Sequence, residues 1–137
     1  MITAQNEKKC LQLAVMIGCL VPLLAGAAGV LQGTHFMRAE TAIGLDSHFR
    51  YLSGLLLGIG IGFLGCVRRI EHKTLPFRLL TFIVFIGGLS RLAGFFLNTT
   101  PGNDMIAAII MEIIVTPALC LWQARIAARW ENSSFTG

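Results

Sequence analysis

The chain has 137 residues, of which 55% are hydrophobic and 13% charged, with a net charge of +4; ordinary soluble domains carry roughly 25% charged residues. One domain of this size in water would bury only about two-thirds of its surface and leave large apolar patches exposed, which excludes a soluble globular protein. The basic excess does not indicate nucleic acid either, because the Lys and Arg residues stand between apolar runs and no helix-turn-helix or zinc-finger spacing is present.

Four runs are long enough to cross a bilayer, which takes about 20 mostly apolar residues. The first is predicted over residues 11–31. Lys8-Lys9, the Leu-rich run and Ala25-Gly26-Ala27 imitate a secretory signal, but the apolar run continues through Val30-Leu31, so a retained span is expected. Ala14, Gly18, Pro22 and Gly26 form a row of small residues and one proline along it. A longer connection, residues 32–48, carries His35, Arg38 and His48. The two histidines are expected to be interfacial polar groups and not haem or metal ligands, since neither sits inside a span opposite the other.

The second span is predicted over residues 49–67, with Arg50 at its entrance and Asp46 one helical turn earlier. Gly54, Gly58 and Gly62 make a stripe at four-residue spacing, the pattern that lets helices approach closely in lipid, and are expected to pack against another helix of the same chain. A basic turn, residues 68–76, leads to the third span over residues 77–97, where Ser90-x-x-x-Gly94 repeats the small-residue spacing. A tight turn at residues 98–104 contains Pro101-Gly102 and the short glycosylation-like sequence Asn98-Thr99-Thr100. The fourth span is predicted over residues 105–123, with a kink expected at Pro117, which frees the Ile113 carbonyl beside Glu112. Beyond it Ile126 and Trp130 fall on one helical face and Arg125 and Arg129 on another, as in an interfacial extension; residues 132–137 are expected to be disordered. The predicted fold is therefore all-α, a single four-helix transmembrane bundle in which short connections make consecutive helices antiparallel.

Orientation follows from the basic residues. Lys8, Lys9, Arg68, Arg69, Lys73, Arg78, Arg125 and Arg129 fall on one side of the spans and only Arg38 and Arg50 on the other. Eight against two places both termini and the middle turn in the cytoplasm.

Charges inside hydrocarbon cost at least about 2.5–3.5 kcal/mol each and face a partner or a cavity. Arg91 lies six residues before the end of the third span and Glu112 seven after the start of the fourth, so both stand about 9–10 Å deep at 1.5 Å per residue. With Arg50 and Asp46 they are expected to form a polar cluster in the outer half of the bundle. Two accounts stay open: a binding or proton site, and an ion pair that fixes which helix faces inward. Cys10, Cys19, Cys66 and Cys120 lie in or beside the apolar runs without metal-ligand spacing and are read as small packing residues.

The stretch from Leu45-Asp46-Ser47-His48-Phe49-Arg50 to Gly54, Pro76-Phe77-Arg78 with Gly87-Gly88-Leu89-Ser90-Arg91-Leu92, and Met111-Glu112 with Thr116-Pro117 resemble a bacterial membrane family catalogued as domain of unknown function 4345. The resemblance covers the last three spans in sequence and the first in length and hydropathy. It implies four helices in a bacterial inner membrane and carries over no activity and no site residues. With no nucleophile, metal set or cofactor motif beside the charges, an enzyme is not expected. The expected role is an accessory or hydrophobic-ligand-binding membrane protein, its partners being membrane lipid, a hydrophobic molecule such as lipid or quinone, a larger membrane complex or a homo-oligomer; the alternative is a small proton-coupled transporter using Glu112.

Overall fold

A computed structural model describes residues 4–37, 43–97 and 102–134. Among these residues the protein is all-α, with no strand. Helix α1 (Ala4–Gln32) ends in a 3-10 turn (Gly33–Met37), and α2 (Ile43–Val67) is followed by a second 3-10 turn (Ile70–His72). Then come α3 (Thr74–Leu97) and a continuous rod made of α4 (Asn103–Ile110), a π-helical turn (Met111–Val115) and α5 (Thr116–Ser134). These make four helices long and apolar enough to cross a membrane, and each predicted apolar run falls inside one of them. Leu24, Leu31, Leu75, Leu97 and Leu121 are 69–85% exposed, an outside suited to lipid tails and not to water.

The chain divides into two compact units, residues 13–68 and residues 1–12 with 69–137. In the first, α1 and α2 form a hairpin whose register is written in close contacts. A Cβ added at Gly26 would stand 2.7 Å from the Leu57 backbone nitrogen, one at Gly29 would meet Ser53 and Phe49, and one at Gly60 would lie 3.1 Å from the Leu23 side chain. As α1 numbers rise through 23, 26 and 29, their α2 partners fall through 60, 57 and 53, so the two helices run in opposite directions. Van der Waals packing of this kind replaces the missing hydrophobic drive between helices in lipid.

Of the stripe expected to pack against another helix, Gly54 borders α1 and Gly58 does not. A Cβ at Gly58 would meet nothing within 4 Å, and one at Gly54 would reach Val30 at 3.8 Å, an ordinary contact and not a close one. The close approach instead uses Gly26 and Gly29 on α1 against Ser53, Leu57 and Gly60 on α2, a face rotated away from the Gly54 and Gly58 row. Of the row expected on α1, Gly26 is in the contact and Gly18 is in open space; on α3, a Cβ at Gly94 would likewise meet nothing.

In the second unit α3 packs along the rod. Thr74 lies beside Gln123 of α5, and Gly88 lies against Glu112 and Ile113, where an added Cβ would come to 2.8 Å of each side chain; this pair of helices is also antiparallel. Leu11, Ile70, Phe77, Ile126 and Gln123 are the most deeply buried side chains here. The rod bends from α-helix into a π turn just before Pro117. Proline has no N–H for the Ile113 carbonyl, and the chain shifts register so that the Thr116 N–H and hydroxyl both reach the Met111 carbonyl, the hydroxyl at 2.8 Å. The kink expected at Pro117 is thus a widened turn that contains Glu112.

Helix α5 continues through Ser134, so residues 132–134, expected to be disordered, are helical. Buried Ile126 and Ala127 and an ion pair at Arg129 anchor this extension. Arg38, the sequence Asn98-Thr99-Thr100, Pro101 and residues 135–137 lie outside the described residues.

Candidate functional site

The four site residues expected from the sequence form two pairs, each wholly within one unit. In the α1–α2 hairpin, Arg50 Nε donates to Asp46 Oδ2 at 2.8 Å across one turn of α2. The other Asp46 oxygen accepts the Thr34 N–H at 2.8 Å and its hydroxyl at 3.1 Å. Arg50 Nη1 donates to the Val30 and Leu31 carbonyls at 2.6 and 3.1 Å. The last carbonyls of a helix have no partner within it and carry its negative dipole end, so a guanidinium there is favourable on both counts. Gly33, with φ of +59° and no room for a Cβ beside Asp46 and Arg50, makes the turn that brings these groups together. Asp46 and Arg50 thus act as a clasp on the end of α1. His35 lies in the 3-10 turn and His48 on α2, both exposed.

In the other unit, Arg91 and Glu112 meet as the matched depths required. Nε donates to Oε2 at 3.1 Å and Nη2 to Oε1 at 3.2 Å, a two-pronged pairing. The arginine side chain is 44% exposed and the carboxylate 19%. Gly88 permits the approach, since any side chain there would collide with Glu112. Glu112 belongs to the π turn, a kind of local widening that is frequent at functional sites.

Between α3 and α5, on the side of the rod toward the basic turn, an open groove of about 280 Å³ is lined by Arg78, Thr81, Phe82, Phe85 and Pro117. The Thr81 hydroxyl is already committed to the Phe77 carbonyl at 2.9 Å. The floor of the groove is therefore apolar, and the polar donors that remain are those of Arg78.

A further polar assembly was not anticipated. Lys8 donates to Glu71 at 2.7 Å and stands 4.9 Å from the centre of the Trp130 ring. Glu7 pairs with Arg129 at 2.6 Å and, more loosely, with Arg125 at 3.9 Å. Gln123, fully buried, donates to the Ile70 carbonyl at 2.7 Å and to the Thr74 hydroxyl at 3.1 Å. The start of α1, the basic turn and the α5 extension are thereby tied together at one end of this unit. Burial pushes the Glu71 carboxyl up, but the Lys8 hydrogen bond, a hydrogen bond from its own backbone N–H and the charges of Lys8 and His72 together outweigh it and hold the group below its usual range. In the sequence, Lys8, Arg125 and Arg129 read as orienting or interfacial charges with no partner named for them, and neither Glu7 nor Glu71 is singled out. A lone carboxylate in a turn otherwise full of Lys and Arg was the available signal. Among the described residues no group of three His, Cys, Asp or Glu side chains is placed to hold a metal ion.

The family described as domain of unknown function (DUF4345) matches residues 10–123. That match covers most of the chain and includes the first apolar run, which the sequence resemblance reached only in length and hydropathy; the protein belongs to this family. No curated protein and no solved structure matches the chain.

Proposed function

We propose that this member of the family is a multi-pass protein of a bacterial inner membrane, with both termini cytoplasmic, that binds a hydrophobic molecule such as a lipid or quinone, alone or as an accessory subunit of a larger membrane complex. The observation that carries this is the groove between α3 and α5, where Phe82, Phe85 and Pro117 offer an apolar wall and Thr81 has no spare donor. Its volume of about 280 Å³ falls just below the roughly 300–1,000 Å³ typical of small-molecule sites, the scale of one chain or ring system. Orientation is supported by the eight-to-two basic asymmetry and by the ion pairs that gather the start of α1, the basic turn and the α5 extension at one end of their unit.

The test is to extract the protein from its own membrane in mild detergent and weigh it intact by native mass spectrometry. A bound lipid or quinone is expected, and it should be lost from the Phe82→Ala, Phe85→Ala double variant. A protein that carries nothing, or a variant that carries as much as the parent, refutes the groove as a binding site.

A second reading draws on Glu112. A carboxylate on a π turn, paired with an arginine that a substrate could displace, has the makings of a proton-coupled transport site. In that case Glu112→Gln should abolish substrate-driven proton uptake by proteoliposomes while the fold survives, since the amide cannot carry a proton.

A further inference from the structure

We infer that the groove between α3 and α5 takes an anionic membrane lipid, with its phosphate on the Arg78 guanidinium and one acyl chain laid against Phe82 and Phe85. The inference rests on the groove reading and specifies its ligand. Arg78 lines the groove and is exposed, and no carboxylate among the described residues pairs with it. It lies four residues from the start of α3, about 6 Å along the axis, at the level where an arginine reaches the head-group layer. Phe82 and Phe85 follow four and seven residues later, about 6 and 10 Å deeper on the same helix. That places them beside the upper two-thirds of an acyl chain in a leaflet whose hydrocarbon is about 15 Å thick.

The order of groups along the groove is therefore cation at the head-group level, then an apolar wall with no donor left over, which is the order of polarity along a phospholipid in reverse charge. A neutral ligand such as a quinone would leave the Arg78 guanidinium without a counter-charge. A zwitterionic lipid would bring a choline cation to the same place. Arg68, Arg69 and Lys73, exposed in the adjoining turn and its flanks, raise the local concentration of anionic lipid without selecting one position.

The experiment uses the full chain reconstituted in vesicles of equal phosphatidylglycerol and phosphatidylcholine, extracted gently, with retained lipid counted by native mass spectrometry. Wild type is expected to retain phosphatidylglycerol in preference. Arg78→Gln should keep a lipid but lose about fivefold of that preference, the effect of one basic residue near an anionic surface. Lys73→Gln, outside the groove, should leave the preference nearly intact. Phe82→Ala with Phe85→Ala should lose lipid of both kinds. Retention without head-group preference, or equal effects of Arg78→Gln and Lys73→Gln, overturns the anionic-lipid inference and leaves the groove reading standing. Unchanged retention in the double aromatic variant sinks both. Displacement of the lipid by millimolar inorganic phosphate would show that the head group alone is read, and would also overturn it.

Discussion

Gly26→Ala and Gly58→Ala are chemically identical changes on facing helices with opposite expected outcomes. At Gly26 the new methyl would lie 2.7 Å from Leu57 N and 2.9 Å from Leu57 Cα, whereas ordinary contact begins at 3.4 Å. The helices must therefore separate by about 0.7 Å, the difference between 3.4 and 2.7 Å, and because the obstacle is backbone no rotamer change relieves it. Overpacking of this kind costs about 1–3 kcal/mol. Against it stands the gain of replacing Gly by Ala inside a helix, about 0.8–1.0 kcal/mol. At Gly58, where an added Cβ meets nothing within 4 Å, only the gain remains. Since the propensity term is common to both variants, their difference isolates the clash, about 1–3 kcal/mol. Equilibrium unfolding of the monomer in mixed detergent micelles measures it. Equal stabilities, or a Gly58 variant less stable than the Gly26 variant, would mean that α1 and α2 do not meet along the face described.

The remaining predictions concern the charged groups. A double-mutant cycle with Arg91→Gln and Glu112→Gln should give a coupling of about 0.5–3 kcal/mol, toward the lower end because the arginine is 44% exposed; strict additivity of the two changes in unfolding free energy would contradict the pairing. The folded pKa of Glu71 is lowered, so its contribution to stability is present above the unfolded value and fades as the pH falls through the folded one; wild type should lose stability and change its Trp130 emission below about pH 4, while Glu71→Gln should show a flatter profile. A cysteine introduced at Lys73 in a cysteine-free background should be protected from an impermeant thiol reagent in intact cells and labelled after lysis, and labelling in intact cells would reverse the topology.

Much of the fold was legible because the bilayer imposes a simple rule. Runs of about 20 apolar residues can only be helices there, and each of the four was found inside a long helix. Arg91 with Glu112 was legible for a related reason, since a short turn between antiparallel spans makes depth a matter of counting. The helix faces were not. The four-residue row of glycines on α2 points to one face, yet Ser53, Leu57 and Gly60 on another face touch α1 and Gly58 does not. Pro117 announced a missing hydrogen bond but could not say whether a kink or a π turn would absorb it; Thr116, able to cap the Met111 carbonyl with N–H and hydroxyl together, favours the turn.

The basic end illustrates a different limit, and it bears on the groove. A count of Lys and Arg treats every cation alike, yet of the eight on that side Lys8, Arg125 and Arg129 face Glu7 or Glu71. The other five, Lys9, Arg68, Arg69, Lys73 and Arg78, have no ion pair among the described residues. The paired cations hold three segments of the chain together, and their field at the membrane surface is largely cancelled by their own carboxylates. The unpaired ones keep theirs, and four of the five lie in residues 68–78, the stretch that leads into the groove. Salt should separate the two groups. The Lys8 and Glu71 pair is mostly buried and little screened, while attraction of an anionic head group at exposed Arg78 falls away as the Debye length shrinks from about 10 Å at 0.1 M to about 3 Å at 1 M. High salt should thus strip the lipid preference before it loosens the end of the unit that presents Arg78.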